Sequence, residues 1–198
     1  MLRSGMATDD RRQQDRAAQR QLIIDSARAL AEDEGWDAVT TRRLAQKIEY
    51  SQPVIYKHFA SLDRLVDAIA VDGFVELTET LRAARANGGV EDDAVLTAAH
   101  AYLDWASQHP ALYDAMFVRT TRLPFAAEDT PAPLSGAFAE LRTAVEHVAG
   151  DRDVETLTEL VWAGLHGLAM LHRDRRFRSA DQGDRVRLLA ALVGSTSS

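Results

Sequence analysis

Apolar residues recur along this chain at intervals of three and four, the period of helices packed on one face. Leu22, Ile23, Ala27 and Leu30 form one stripe, which predicts a helix from about Asp15 to Glu34 with Gly35 as its stop. Thr40 then stands where a helix N-cap would, before a short helix carrying Leu44, Ala45 and Ile48. Ser51 is a second N-cap candidate, with Pro53 in the first turn, where a missing N–H does no harm. Ser61 caps a third start, and Leu62, Leu65, Val66, Ile69, Phe74, Leu77 and Leu81 carry that helix to about Asn87-Gly88-Gly89. Residues 92–108 hold Val95, Ala99, Tyr102, Leu103 and Ala106, and Pro110 opens a short segment after them. The stretch from Arg122 to Ser135 contains three of the five prolines and predicts a loop. Leu134, Phe138, Leu141, Val145 and Val148 make the clearest stripe in the chain. The helix expected from about Asp153 to Arg173 is apolar nearly all round in its middle, so it must be buried on more than one side. A last short helix covers about Asp184 to Val193, and no strand alternation or internal repeat is present. The fold class expected is all-α, with about nine helices.

Composition agrees with this. The 198 residues suffice for one or two domains, and alanine is the commonest residue, at 33, against 11 glycines and 5 prolines. There is no cysteine, which excludes disulfides, thiol catalysis and cysteine-ligated zinc. The first 15 residues are polar and are expected to form a disordered arm. They have no apolar core of the kind a secretory signal needs. The run from Leu160 to Leu171 is interrupted by His166 and falls short of the ~20 residues that span a bilayer. The expectation is a cytoplasmic protein without a membrane partner.

The net charge of −7 argues against nucleic acid until its distribution is considered. Residues 1–70 carry 11 basic and 11 acidic side chains, whereas residues 71–198 carry 12 basic and 19 acidic. Both lysines, Lys47 and Lys57, lie in the balanced part. Within it, Thr41 to Phe59 reads as two short helices joined by a tight turn, a helix-turn-helix. Leu44, Ala45, Ile48 and Ile55 have the spacing to pack the two helices together. That leaves the start and outer face of the second helix for the major groove. Gln52 has the groups to pair bidentately with adenine, Pro53 or Val54 to touch a thymine methyl, and Lys57 to reach a guanine or a phosphate. Tyr56, His58, Thr41, Arg42 and Arg43 are better placed for phosphates, although Tyr56 and His58 also suit ordinary packing, as does Phe59. Thr40 and Ser61, which open the flanking helices, complete the candidate DNA-contacting set.

The block from Gly35 to Ile69 resembles the DNA-binding head of the TetR family of transcriptional regulators. The resemblance rests on Gly35, the Thr40-Thr41 pair, Leu44-Ala45, Ser51, Tyr56, His58-Phe59 and Ser61 with Asp63, in the family's order and spacing. Two positions depart from the family pattern. Glu49 stands where the family usually has glycine in the turn, at a cost of about 1 kcal/mol if that backbone is left-handed. Leu62 stands where a lysine is frequent, removing one usual phosphate contact. Arg11, Arg12, Arg16 and Arg20 are candidates to compensate, and the last three would line one face if the first helix extended back. The alternative is a solvated basic arm. Gln108 to Phe117 together with Leu160 to Leu171 is similar to the C-terminal domain of a TetR subgroup named for a Trp-His-Gly signature, here Trp162, His166 and Gly167.

The resemblance implies a disordered arm over 1–15, a head over 16–62, and a helical ligand-binding and dimerisation domain over 63–198. It implies a two-fold dimer on a palindromic double-stranded DNA operator, with a small-molecule effector that lowers DNA affinity. No cofactor is expected. Effector candidates are Tyr102, Trp105, Tyr113, Met116, Phe117, Phe138, Trp162, His166 and Met170, a set suited to an apolar or aromatic ligand; taken singly, each also fits core packing. The last two helices are the natural dimer interface. Gly164 and Gly167 allow close approach there, and Leu165, Leu168, Leu171, Leu189 and Leu192 supply apolar surface, unless the glycines only admit a neighbouring helix of the same subunit. A helical small-molecule-binding or interaction protein without DNA binding is the second reading. An enzyme is third, because the chain holds no HExxH, Gly-rich phosphate loop or GxSxG. His100 with Asp104 is too small a set for a metal.

Overall fold

In the computed structural model, which describes residues 3–88, 94–119, 123, 132–178 and 181–194, with side chains from residue 10 onward, the first helix starts far earlier than its apolar stripe. Helix α1 runs Arg3–Glu34. The arm expected to be disordered over 1–15 is therefore helical from Arg3. Arg, Gln and Ala dominate residues 11–20 and no proline interrupts them, so propagation from the buried turns adds one hydrogen bond for each residue fixed. The anchor is the stripe Ile23, Ile24, Ala27, Leu30 and Ala31, all buried. Gly35, at φ 83°, ends the helix in a conformation closed to most side chains.

A 3-10 turn over Trp36–Ala38 leads into α2 (Thr41–Lys47), α3 (Gln52–His58) and α4 (Leu62–Asn87). Then come α5 (Ala94–Gln108), α6 (Pro110–Phe117), α7 (Ala132–Glu146), α8 (Val154–Arg173) and α9 (Gln182–Gly194). The described residues thus hold nine α-helices and no strand. Asp153 caps α8 by accepting from the Thr156 amide at 2.8 Å. The loop expected over 122–135 gives way to helix at Ala132, with Pro133 in the first turn, where its ring is tolerated. Residues 124–131 of that loop, Gly89, and residues 92–93 of the expected fifth helix lie outside the described residues.

The chain divides into two compact units: Met1–Ala70 with Ala111–Arg122, and Val71–Pro110 with Leu123–Ser198. The first differs from the expected head of 16–62 by running to Ala70 and by taking in α6. The cause is polar as well as apolar. The Glu32 carboxylate accepts the amides of Ala111 and Leu112, both at 3.0 Å. The Trp36 indole donates to the Ala111 carbonyl at 2.9 Å, and the Arg119 guanidinium lies 5.3 Å from the centre of the Trp36 ring. A glutamate of α1 thereby satisfies orphan donors at the start of α6, where negative charge is also favoured by the helix dipole. Leu44, Ile55, Leu65, Ile69, Leu112 and Ala115 complete this unit's core, each at most 1% exposed.

In the second unit α5 packs against α7, α8 and α9, and α8 also against α7 and α9. Tyr102, Leu141, Val161 and Leu165 are at its centre. The fully buried Thr158 satisfies its hydroxyl on the Val154 carbonyl at 2.7 Å. Gly136 of α7 meets Thr78 of α4 so closely that a Cβ there would lie 2.7 Å from its hydroxyl oxygen.

Candidate nucleic-acid interface

The helix-turn-helix is assembled from local caps and one buried seam. The Thr40 hydroxyl accepts from the Arg43 amide at 3.2 Å and opens α2. Leu44 and Ala45 of α2 and Ile55 of α3 are buried where the two helices meet. The turn between them closes with the Glu49 amide to the Gln46 carbonyl at 3.4 Å and the Tyr50 amide to the Ala45 carbonyl at 3.0 Å. That paired closure requires a left-handed residue at its centre, and Glu49 supplies it at φ 57°. Ser51 takes the N-cap position of α3 in extended conformation, yet its side chain makes no capping bond. Ser61 does cap, accepting from the Arg64 amide at 3.3 Å, so its hydroxyl already has a structural use.

With Ile55 turned inward, α3 presents Gln52, Pro53, Tyr56 and Lys57 to solvent, Tyr56 at 53% exposure. Val54 is half-buried. The Thr41 hydroxyl donates to the Gln52 side-chain oxygen at 3.3 Å. This steadies the amide while leaving the oxygen's second lone pair and the NH2 group available. Arg42 is exposed at the start of α2. Arg43 is held by Glu34 through two bonds of 2.8 and 2.7 Å, so a phosphate must compete with that carboxylate for it. The same bonds hold the Glu34 carboxyl below its usual range. His58 departs from the expected phosphate role most clearly. It is half-buried against α1, with Nε2 3.4 Å from the Gln19 side-chain oxygen. Burial, then the positive charges of Arg16, Lys57 and Arg20, push its imidazole below the usual value.

The effector candidates divide between the units. Tyr113, Met116 and Phe117 fall in the first, where the rings of Tyr113 and Phe117 are 4.7 Å apart. Tyr102, Trp105, Phe138, Trp162, His166 and Met170 fall in the second. Tyr102 and Trp105 are buried, and Phe138 meets Trp162 edge-on at 6.2 Å. Burial, with Arg173 adding to it, pushes His166 below its usual value. A cavity of about 220 Å³ in this unit is lined by Leu81, Arg85, Thr97, Ala98, Glu140, Thr143, Ala144 and His147 among others, and by none of the effector candidates.

The interface candidates separate as well. Leu165 is fully buried within this chain and so has no surface left for a partner. The position of Gly164 is explained inside the subunit, since a Cβ there would meet Leu189 at 3.1 Å. Gly167 has open space beside it, Leu168 is half-buried, and Leu171 and Leu192 are exposed at 40% and 72%. Leu160 and Leu188, at 63% and 66%, were not singled out from the sequence and are among the most exposed apolar side chains described. The spacing of Leu160, Gly164, Gly167 and Leu171 held that signal, but a helix apolar all round does not say which stripe faces out. No described helix is long and apolar enough to cross a membrane.

Comparisons with known proteins agree with this geometry. Residues 23–69 match the bacterial regulatory proteins of the tetR family, and residues 95–195 match the tetracyclin repressor-like C-terminal domain. Rv0681, an HTH-type transcriptional regulator of Mycobacterium tuberculosis, is 31% identical over 158 residues, 77% of this chain and 69% of its own. The class D tetracycline repressor of Escherichia coli is 43% identical over 53 residues, 27% of this chain and 24% of its own. Two solved structures from Rhodococcus share the fold. One is a protein of unknown function, with TM-score 0.76 and 23% identity over 89% of this chain and 93% of that one. The other is a tetR-family regulatory protein, with TM-score 0.63 and 19% identity over 90% and 98%. The helix-turn-helix, the all-helical remainder and both matches lead to one conclusion: this chain belongs to the TetR family of transcriptional regulators, and its first unit carries the family's DNA-binding domain.

Proposed function

We propose that this regulator is a ligand-responsive repressor that binds a palindromic operator as a homodimer. The observation that carries the reading is the outer face of α3, where Gln52, Pro53, Tyr56 and Lys57 are exposed while Ile55 anchors the helix from behind. In this reading Gln52, Lys57 and the Pro53-Val54 pair address base edges. Thr40, Thr41, Arg42, Arg43, Tyr56, His58 and Ser61 serve the backbone or hold the helices that do. The proposed functional division is an arm over 1–15, a head over 16–62 and an effector and dimerisation domain over 63–198, with residues 63–70 and α6 packed in the head's compact unit. Operator binding places the protein in the cytoplasm.

A two-fold dimer sets two α3 helices about 34–36 Å apart, one turn of DNA. Its proposed interface is the outward apolar stripe of α8 and α9: Leu160, Gly167, Leu168, Leu171, Leu188 and Leu192. The proposed effector is a small apolar or aromatic molecule taken up by the second unit's candidates, Tyr102, Trp105, Phe138, Trp162, His166 and Met170, with His166 or Tyr102 as polar anchor. The Trp-His-Gly signature is consistent with that use. A ligand that prefers the DNA-incompetent state shifts the equilibrium by a coupling of ~1–3 kcal/mol.

The test is a footprint of the purified protein on the DNA flanking its own gene, at fixed salt, with Lys57→Glu as control. The expected result is a protected palindrome, lost in the variant while its helicity is unchanged. If neither this DNA nor a random-duplex selection yields a bound motif, the repressor reading fails.

A further inference from the structure

Resting on the DNA-binding reading of α3, we propose that the amino-terminal half of α1 is a second DNA-contacting element. In it Arg12, Arg16 and Arg20 extend the cationic surface of Lys57 onto the phosphates of duplex flanking each half-site. The family match begins at residue 23, so nothing in it assigns a role to this stretch. Four residues advance a helix by about 40° beyond one turn, which keeps the three arginines on one face. That face is continuous with the stripe Ile23, Ala27 and Leu30 that packs into the head. One helix face therefore changes from core-forming to cationic where it passes the carboxyl end of α3.

Two contacts fix the junction. The Arg20 guanidinium lies 4.9 Å from the centre of the Phe59 ring, and the Gln19 side chain faces His58 at 3.4 Å. Arg12, Arg16, Arg20 and Lys57 are all exposed at the surface. Arg16, Lys57 and Arg20 lie near enough to His58 that, after burial, their positive charges push its imidazole further below the usual value. Asp10 and Asp25 fall on the opposite side of α1, where Gln21 donates to Asp25 at 3.0 Å. Asp15 falls to one flank, and the register places Asp9 at the far end of the stripe. From Arg12 to Arg20 the helix advances about 12 Å, the rise of some three to four base pairs. Continuity with the exposed face of α3 makes duplex DNA the partner.

The test uses the full-length protein and an operator recovered by selection from random duplexes. Anisotropy titrations compare a long duplex with one trimmed to end at the two half-sites, each between 50 and 200 mM salt. The wild type is expected to bind the long duplex more tightly and with the steeper salt dependence. Arg12→Gln with Arg16→Gln keeps good helix formers in place, leaves Arg20 on Phe59, and is expected to remove most of that difference. Two lost phosphate contacts per half-site, four per dimer, flatten the salt response by roughly 100-fold across this range, and binding to the trimmed duplex stays as it was. Equal affinity and slope for the wild type on both duplexes overturns the proposal and leaves the repressor reading standing. A loss of equal size on both duplexes also overturns it, since the arginines then act within the half-site. A wild type that selects no operator removes both.

Discussion

Glu32 is the sharpest place to test how the first unit is held together. Its carboxylate receives the Ala111 and Leu112 amides at 3.0 Å each, across a sequence separation of 79 and 80 residues. A net hydrogen bond to a charged group is worth ~1.5–3 kcal/mol, and one carboxylate at a helix start adds ~0.3–1 kcal/mol. Glu32 is half-buried, so water re-solvates the amides once the carboxylate is gone, and each of the two bonds counts for well under that range. Glu32→Ala is therefore expected to loosen α6 by about 2 kcal/mol. Glu32→Gln keeps one acceptor oxygen and loses the charge, for about half that. The assay is amide hydrogen exchange of residues 111–117, in which a local opening cheaper by ~2 kcal/mol speeds exchange about 30-fold. The exposed neighbour Asp33→Ala serves as control. If both Glu32 variants exchange at the wild-type rate in α6, the cap contributes nothing and the reasoning is refuted.

Glu49→Gly relieves a left-handed side chain in the helix-turn-helix and is expected to raise stability by ~0.5–1 kcal/mol after glycine's entropic cost, read as a higher urea midpoint. Gly136→Ala drives a Cβ into Thr78 and is expected to cost ~1–3 kcal/mol, read as a lower midpoint with an unchanged denaturant slope. His166 is held below its ordinary pKa in the folded chain, so the unfolded chain binds its proton more readily. Stability is then full above about pH 6.5 and falls as pH drops below that value, levelling only below the folded pKa. His166→Gln is expected to flatten that decline in unfolding curves taken from pH 7 to 5.

What was legible in the sequence was local. Thr40 and Ser61 announced helix starts because a capping side chain bonds an amide three residues on, and Leu44, Ala45 and Ile55 announced the seam by spacing. Glu49 stood out because it replaces the usual glycine of the helix-turn-helix turn, whereas nothing in the sequence marked Arg175, which is also left-handed. What was not legible was non-local or two-sided. The start of α1 lies outside any apolar stripe, because propensity and not packing carries it. Arg43 looked like a free phosphate ligand, and only the fold brings Glu34 to it. The inward Leu165 and the outward Leu160 and Leu188 share one apolar pattern, so composition could not sort core from surface.

The clasp on α6 bears on how such regulators can be recombined. The segment is numbered within the C-terminal family match, yet its amides and carbonyl serve Glu32 and Trp36 of the head. A head excised at Ala70 and grafted onto another effector domain leaves a carboxylate and an indole N–H without their acceptor and donors. Transplanting DNA specificity intact therefore means moving residues 111–117 with the graft, or choosing a recipient whose own sixth helix offers the same two amides and carbonyl.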